Sequence, residues 1–180
     1  EDAREAAERA LELIQVRERT DLISFEIGLK ARHLLCRLAI KDIANRKSSA
    51  KGVAAEATDK VDAAMALTRH WRLRGQTELT RLVLDIFSFG CRIYETSHPH
   101  FLAEFLTECL SPDLLGEAIQ PDSGTLDAAQ AAIWGVVSNL QLDGFRFVAT
   151  PHFEPFLADI QELRKIEERL KQLRCSSCAI

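Results

Sequence analysis

Residues 77–110 read TELTRLVLDIFSFGCRIYETSHPHFLAEFLTECL, and the fold turns on this stretch. Leu79, Leu82, Val83, Ile86, Gly90, Ile93 and Tyr94 return every third or fourth position, the spacing that lines up one face of an α-helix, while Leu84, Phe87, Phe89 and Cys91 fill much of the opposite face. A helix apolar nearly all round belongs between layers of other elements. Arg81, Asp85 and Arg92 interrupt the run, and each would be costly at the middle of a bilayer. The segment is therefore expected to be the buried central helix of a globular domain, with no membrane span. His98-Pro99-His100 breaks the pattern. Proline presets the φ of a first helical turn, and Phe101, Leu102, Phe105, Leu106, Cys109 and Leu110 resume the apolar spacing until Pro112.

Composition agrees with a helical reading. The chain has 180 residues, enough for one domain with a real core, and its 47% hydrophobic and 28% charged residues exclude general disorder. Eight glycines and five prolines are few, Ala, Leu, Glu and Arg are abundant, and no Asn-Gly or Asp-Gly hairpin lies between alternating runs. The expected fold class is all-α, a helical bundle or short α-solenoid, with residues 1–180 forming a single domain from a larger polypeptide. A net charge of −4 and a pI near 5.8 argue against binding nucleic acid by global attraction. Cys36, Cys91 and Cys109 fall at helical positions, which suits reduced, buried thiols and a cytoplasmic or nuclear location. Cys175 and Cys178 form a lone CxxC, half of a zinc ligand set, and are read as part of a frayed tail.

Working outward, Asp2 to Arg19 is expected to be an amphipathic helix with a narrow stripe of Ala6, Ala10, Leu13, Ile14 and Val16. Thr20 or Asp21 caps a second helix whose stripe is Ile23, Ile27, Ala31, Leu34, Leu35 and Leu38. Residues 41–52 lose periodicity, collect basic and serine residues, and read as a mobile basic loop. Val53 to Leu73 is helical again. Beyond the central stretch, Asp113 to Gly124 reads as a loop with a short helical turn. Thr125 or Asp127 then opens an Ala-rich helix that ends near Asp143-Gly144. Residues 155–174 carry Phe156, Ile160, Leu163, Ile166, Leu170 and Leu173 among charges. This amphipathic C-terminal helix is suited to packing on the domain or to a coiled coil between copies.

Pro99-His100-Phe101 with Phe105-Leu106 recurs about fifty residues later as Pro151-His152-Phe153 with Phe156-Leu157, a spacing near that of helical repeats. Residues 26–39, EIGLKARHLLCRLA, and 127–142, DAAQAAIWGVVSNLQL, resemble the long inner helix of armadillo or HEAT-type repeats. SHPHFLAEFLTECL and ATPHFEPFLADI resemble the helix preceding it. The resemblance covers about a third of the chain and implies a stacked-helix fragment that binds peptides or partner domains without chemistry of its own.

Functional candidates follow from side-chain chemistry. No dinucleotide fingerprint, phosphate loop or nucleophile elbow is present, so no enzyme activity and no cofactor are expected. His100, Glu104 and Glu108 share one helical face in the manner of metal ligands, yet no second motif completes such a set and exposed glutamates account for the same letters. The expected role is a protein-interaction scaffold or adaptor that holds a partner peptide or helix in a groove. Trp71, Arg72, Arg74 and Trp134 are its contact candidates, since desolvated Trp and Arg anchor interfaces. The alternative is an RNA- or DNA-binding module using Lys30, Arg32, Arg37, Arg46, Lys47 and Lys51 together with residues 69–74. Self-association through residues 155–174 is a further expectation.

Overall fold

The computed structural model describes residues 2–45, 50–71, 73, 76–111, 114–115, 119–147 and 154–177. They form seven α-helices: α1 (Ala3–Ile14), α2 (Leu22–Ala44), α3 (Ala50–His70), α4 (Thr77–Ser97), α5 (Leu102–Cys109), α6 (Ser123–Phe147) and α7 (Glu154–Ser177). A single 3-10 turn, Pro99–Phe101, leads into α5. Among the described residues there is no strand, only an isolated bridge between Leu115 and Ile119. The fold is an all-α bundle.

α4 is its centre, as the doubly apolar pattern requires. It packs against α2, α3, α5 and α6, while α1 lies on α2 and α7 covers α5 and α6. Val83, Ile86, Phe87, Cys91 and Ile93 of α4 are wholly buried. Each large side chain so enclosed contributes about 1.5–3 kcal/mol. Gly90 lets two neighbours close on α4 at once. A Cβ there would stand 2.6 Å from Cζ of Phe105 on α5 and 2.7 Å from Cγ1 of Val61 on α3. No helix among the described residues is long and apolar enough to cross a membrane.

Helix ends are set by specific side chains. Asp21, not Thr20, caps α2, accepting from the Ile23 and Ser24 amides. Asp122 caps α6, accepting from the Thr125 amide at 2.7 Å and the Thr125 hydroxyl at 2.6 Å, so that helix opens before either expected residue. It also continues past Gly144 to Phe147. α2 runs through Ala44 and α3 starts at Ala50, so residues 41–44 and 50–52 of the expected 41–52 loop are helical; residues 46–49 lie outside the described residues. Between Pro112 and Asp122 no described residue is helical; Ser123 and Gly124 already belong to α6.

Two of the expected stripes shift. α1 ends at Ile14, and it is Ala7 and Leu11 that pack with Ala31 and Leu35 of α2, leaving Leu13 78% and Val16 92% exposed. On α2, Phe25, Leu29, Cys36 and Ala39 enter the main core, whereas Ile23 is 68% exposed. The physical reason is that α2 is apolar on more than one side, and contact with α3 and α4 takes the side bearing the aromatic ring. On α7, Ile160, Leu163, Ile166 and Leu170 are buried within the chain, so the seam expected to serve packing or self-association is occupied internally.

Cys36, Cys91 and Cys109 are free and buried. Desolvation raises all three thiols, Cys36 to about 12, which keeps them protonated and inert.

Candidate ligand-binding cleft

Helical spacing builds one open cleft of about 260 Å³ on the side of the bundle. Thr58 and Asp62 are four apart on α3, and Tyr94 and His98 are four apart at the end of α4. Phe101, Glu104, Phe105 and Glu108 recur on one face from the 3-10 turn through α5. These eight side chains line it. The His98-Pro99-His100 break allows the arrangement. Proline opens a new turn after α4, and Arg69 of α3 reaches the Glu108 carbonyl of α5.

Aromatic rings connect the cleft to the core. Phe87 stacks on Phe105 with centroids 5.7 Å apart, Phe105 on Tyr94 at 4.6 Å, and His98 stands 6.3 Å from Tyr94 and 6.4 Å from Phe101. Phe101 ends the series with 56% of its surface exposed. The Tyr94 hydroxyl donates to both carboxylate oxygens of Asp62, at 2.9 and 2.8 Å. Thr58 donates instead to the Ala55 carbonyl at 2.6 Å.

The cleft is acidic. Asp62, Glu104 and Glu108 contribute carboxylates, and no lysine or arginine is among the lining residues. Arg69 stands at the edge. It donates to the Glu108 carbonyl at 2.9 Å and lies 3.5 Å from the Glu108 carboxylate. Partial desolvation raises the Asp62 carboxyl, helped by the nearby charges of Asp59, Glu108 and Glu104 and opposed by the Tyr94 hydrogen bond. Desolvation also raises the Tyr94 phenol, and its bond to Asp62 pushes the same way. A phenol held protonated is neither nucleophile nor base at neutral pH.

Trp71 and Trp134, two of the expected contact residues, are not among the side chains that line the cleft. Trp71 is half-buried, stacks on Phe25 at 5.4 Å and donates its indole N–H to the Glu18 carbonyl at 2.9 Å, so it fastens the chain to itself. Trp134 is 60% exposed and donates to Glu167 of α7 at 3.2 Å. Arg72 and Arg74 lie outside the described residues. Of the basic set, Arg32 is buried and paired with Glu18 through both terminal nitrogens, which removes it from contact with phosphate. Lys30 pairs with Glu26 on an exposed face, and Arg37 is exposed. Arg46, Lys47 and the Lys51 side chain lie outside the described residues, as does the second Pro-His-Phe copy.

His100, Glu104 and Glu108, which share one helical face in the sequence, divide in the structure. Glu104 and Glu108 line the cleft, whereas His100 Nδ1 lies 3.1 Å from Asp159 of α7. Among the described residues no group of three or more His, Cys, Asp or Glu could hold a metal ion. In the sequence Glu104 and Glu108 stand out as candidates, whereas Tyr94 and Phe101 read only as members of apolar stripes and Asp62 carries no site signal. Their only local signal is aromatic and acidic residues alternating at helical spacing, which a solvated helix face also produces.

An all-α bundle with a lateral, acidic and aromatic cleft is the class this geometry defines. No protein-family model, no curated protein and no solved structure matches the chain.

Proposed function

We propose that the chain is a non-catalytic protein-interaction module, a scaffold or adaptor that seats a segment of a partner protein in the cleft between α3, α4 and α5. The observation that carries this reading is the cleft itself, about 260 Å³, open to solvent and lined by both aromatic and charged side chains. Binding pockets for whole small molecules are mostly larger, about 300–1,000 Å³, so this volume suits one or two side chains of a peptide lying across the helices. Anchoring by aromatic side chains within a polar rim is how interfaces gain most of their free energy. The basic set offers phosphate less. The acidic lining repels it, and Arg32 is used inside the fold.

Panning a random peptide library on the intact chain tests the proposal, with the selected peptides then mapped by amide chemical-shift changes. Peptides that compete with one another and perturb residues 58–62, 94–98 and 101–108 are the expected result. Failure to select any sequence-related peptides, or mapping confined to another face, overturns it.

A further inference from the structure

We infer that the group gripped by the cleft is a cation on the partner segment, an arginine guanidinium in preference to a lysine ammonium; this rests on the interaction proposal above and names what the site recognises. Charge complementarity carries the inference. Three carboxylates converge on the cleft, and among the described residues no cation pairs with Asp62 or Glu104. The partner that Asp62 does have, the Tyr94 hydroxyl, is neutral. The wall already accepts a guanidinium at its edge, where Arg69 donates to the Glu108 carbonyl beside the Glu108 carboxylate. The aromatic content is the second and independent element. Phe101 presents more than half its surface at the rim and is the ring a ligand can reach, while Tyr94 and Phe105, stacked on each other and largely buried, back the wall. A ring face attracts a cation through its quadrupole, and a planar guanidinium both stacks on rings and bonds carboxylates through a fork of donors. Ring and carboxylate within one cleft complement a guanidinium better than they do a neutral chain, which would leave the acids unpaired, or an anion, which they would repel.

The inference is tested on the intact chain with three probes, Nα-acetyl-argininamide, Nα-acetyl-lysinamide and the neutral isostere Nα-acetyl-citrullinamide, titrated while amide shifts are followed. The expected result is saturable shifts at residues 58–62 and 101–108 with the arginine probe, weaker ones with the lysine probe, and none with citrulline. Because Glu104→Gln removes one carboxylate while keeping the side chain's shape, it should weaken the arginine probe severalfold. Phe101→Ala should also weaken it. Both substitutions fall on exposed positions and leave the core untouched. Equal binding of the arginine and citrulline probes overturns the cation assignment while leaving the cleft as an interaction site. Saturable arginine binding with no peptide selected by panning upholds the cation assignment and removes the interaction proposal. No saturable shift from any probe, or arginine affinity unchanged in both variants, overturns the inference.

Discussion

At Gly90 two opposing rules meet. Alanine is the better helix former by about 1 kcal/mol, and a survey of local propensity alone would recommend Gly90→Ala. The contacts reverse that choice, because a Cβ would meet the ring of Phe105 and a methyl of Val61, both buried and neither able to swing aside. Overpacking of this kind costs about 1–3 kcal/mol, so after the helix-propensity gain Gly90→Ala should lower the unfolding free energy by up to about 2 kcal/mol net. Gly52 provides the contrast, with nothing within 4 Å of a Cβ, and Gly52→Ala should raise stability by a few tenths to about 1 kcal/mol. Urea denaturation of both variants checks the pair; stabilisation by Gly90→Ala would contradict the packing described. Sequence reading placed Gly90 correctly on the apolar face of α4. It could not say that the missing side chain is what brings α3 and α5 together, because neither neighbour is local.

At the scale of elements, the α1–α2 corner is held by a buried charge pair. Glu18 and Arg32 side chains are 3% and 8% exposed and bond through both pairs of oxygens and nitrogens. Gly28 leaves the space that the Glu18 carboxylate fills. The same turn accepts the Trp71 indole at the Glu18 carbonyl, and His70 Nε2 stands 2.9 Å from the Arg19 carbonyl, so the end of α3 is fastened to it as well. Arg32 Nε is buried without a partner, which adds to the cost of keeping the charge inside. Glu18→Ala would leave the guanidinium buried and unpaired, a loss of about 3–5 kcal/mol, whereas Glu18→Leu combined with Arg32→Met should recover much of it. Chemical denaturation of the single and double variants separates these outcomes. A small effect in Glu18→Ala would show that the pair is not buried in solution. Expecting one helix from Asp2 to Arg19 missed this corner, since the chain stops α1 at Ile14 in order to bring Glu18 over α2. From the sequence Arg32 looks like a surface cation, because its partner lies fourteen positions away and belongs to no helix.

For the whole molecule, titration should divide into two opposing groups. Hydrogen bonds from Thr125 hold the Asp122 carboxyl below its ordinary value, and bonds from Ser24 do the same for Asp21. Their stabilising effect is present above the unfolded carboxylate pKa and is lost as pH falls through the lowered folded value. Burial instead raises Asp62 and Glu95, with Arg92 opposing the shift at Glu95. For these two, stability is fully present below the unfolded pKa and is lost as pH rises through the raised folded value. Glu95→Gln should therefore unfold at higher temperature than the parent near neutral pH, with the two converging in acid. Asp122→Asn should melt below the parent at neutral pH and approach it in acid. Melting curves across the acid range check both signs, and the reverse order for either would refute the burial or the cap assigned to it. The helices themselves were determined by the sequence alone. Apolar spacing and proline are local signals, and they marked α2 through α7 and the centrality of α4, while the cap of α6 was Asp122 and neither expected residue. Only the tertiary structure decided which face of α2 is buried, how Glu18 meets Arg32, and that Asp62, Tyr94, Phe101, Glu104 and Glu108 share one cleft. Tyr94 and Asp62 are 32 positions apart, and Arg69 and Glu108 are 39 apart. Helical periodicity says which way a side chain points from its own axis but carries no information on which distant helix it will meet. That is set by packing of the whole core.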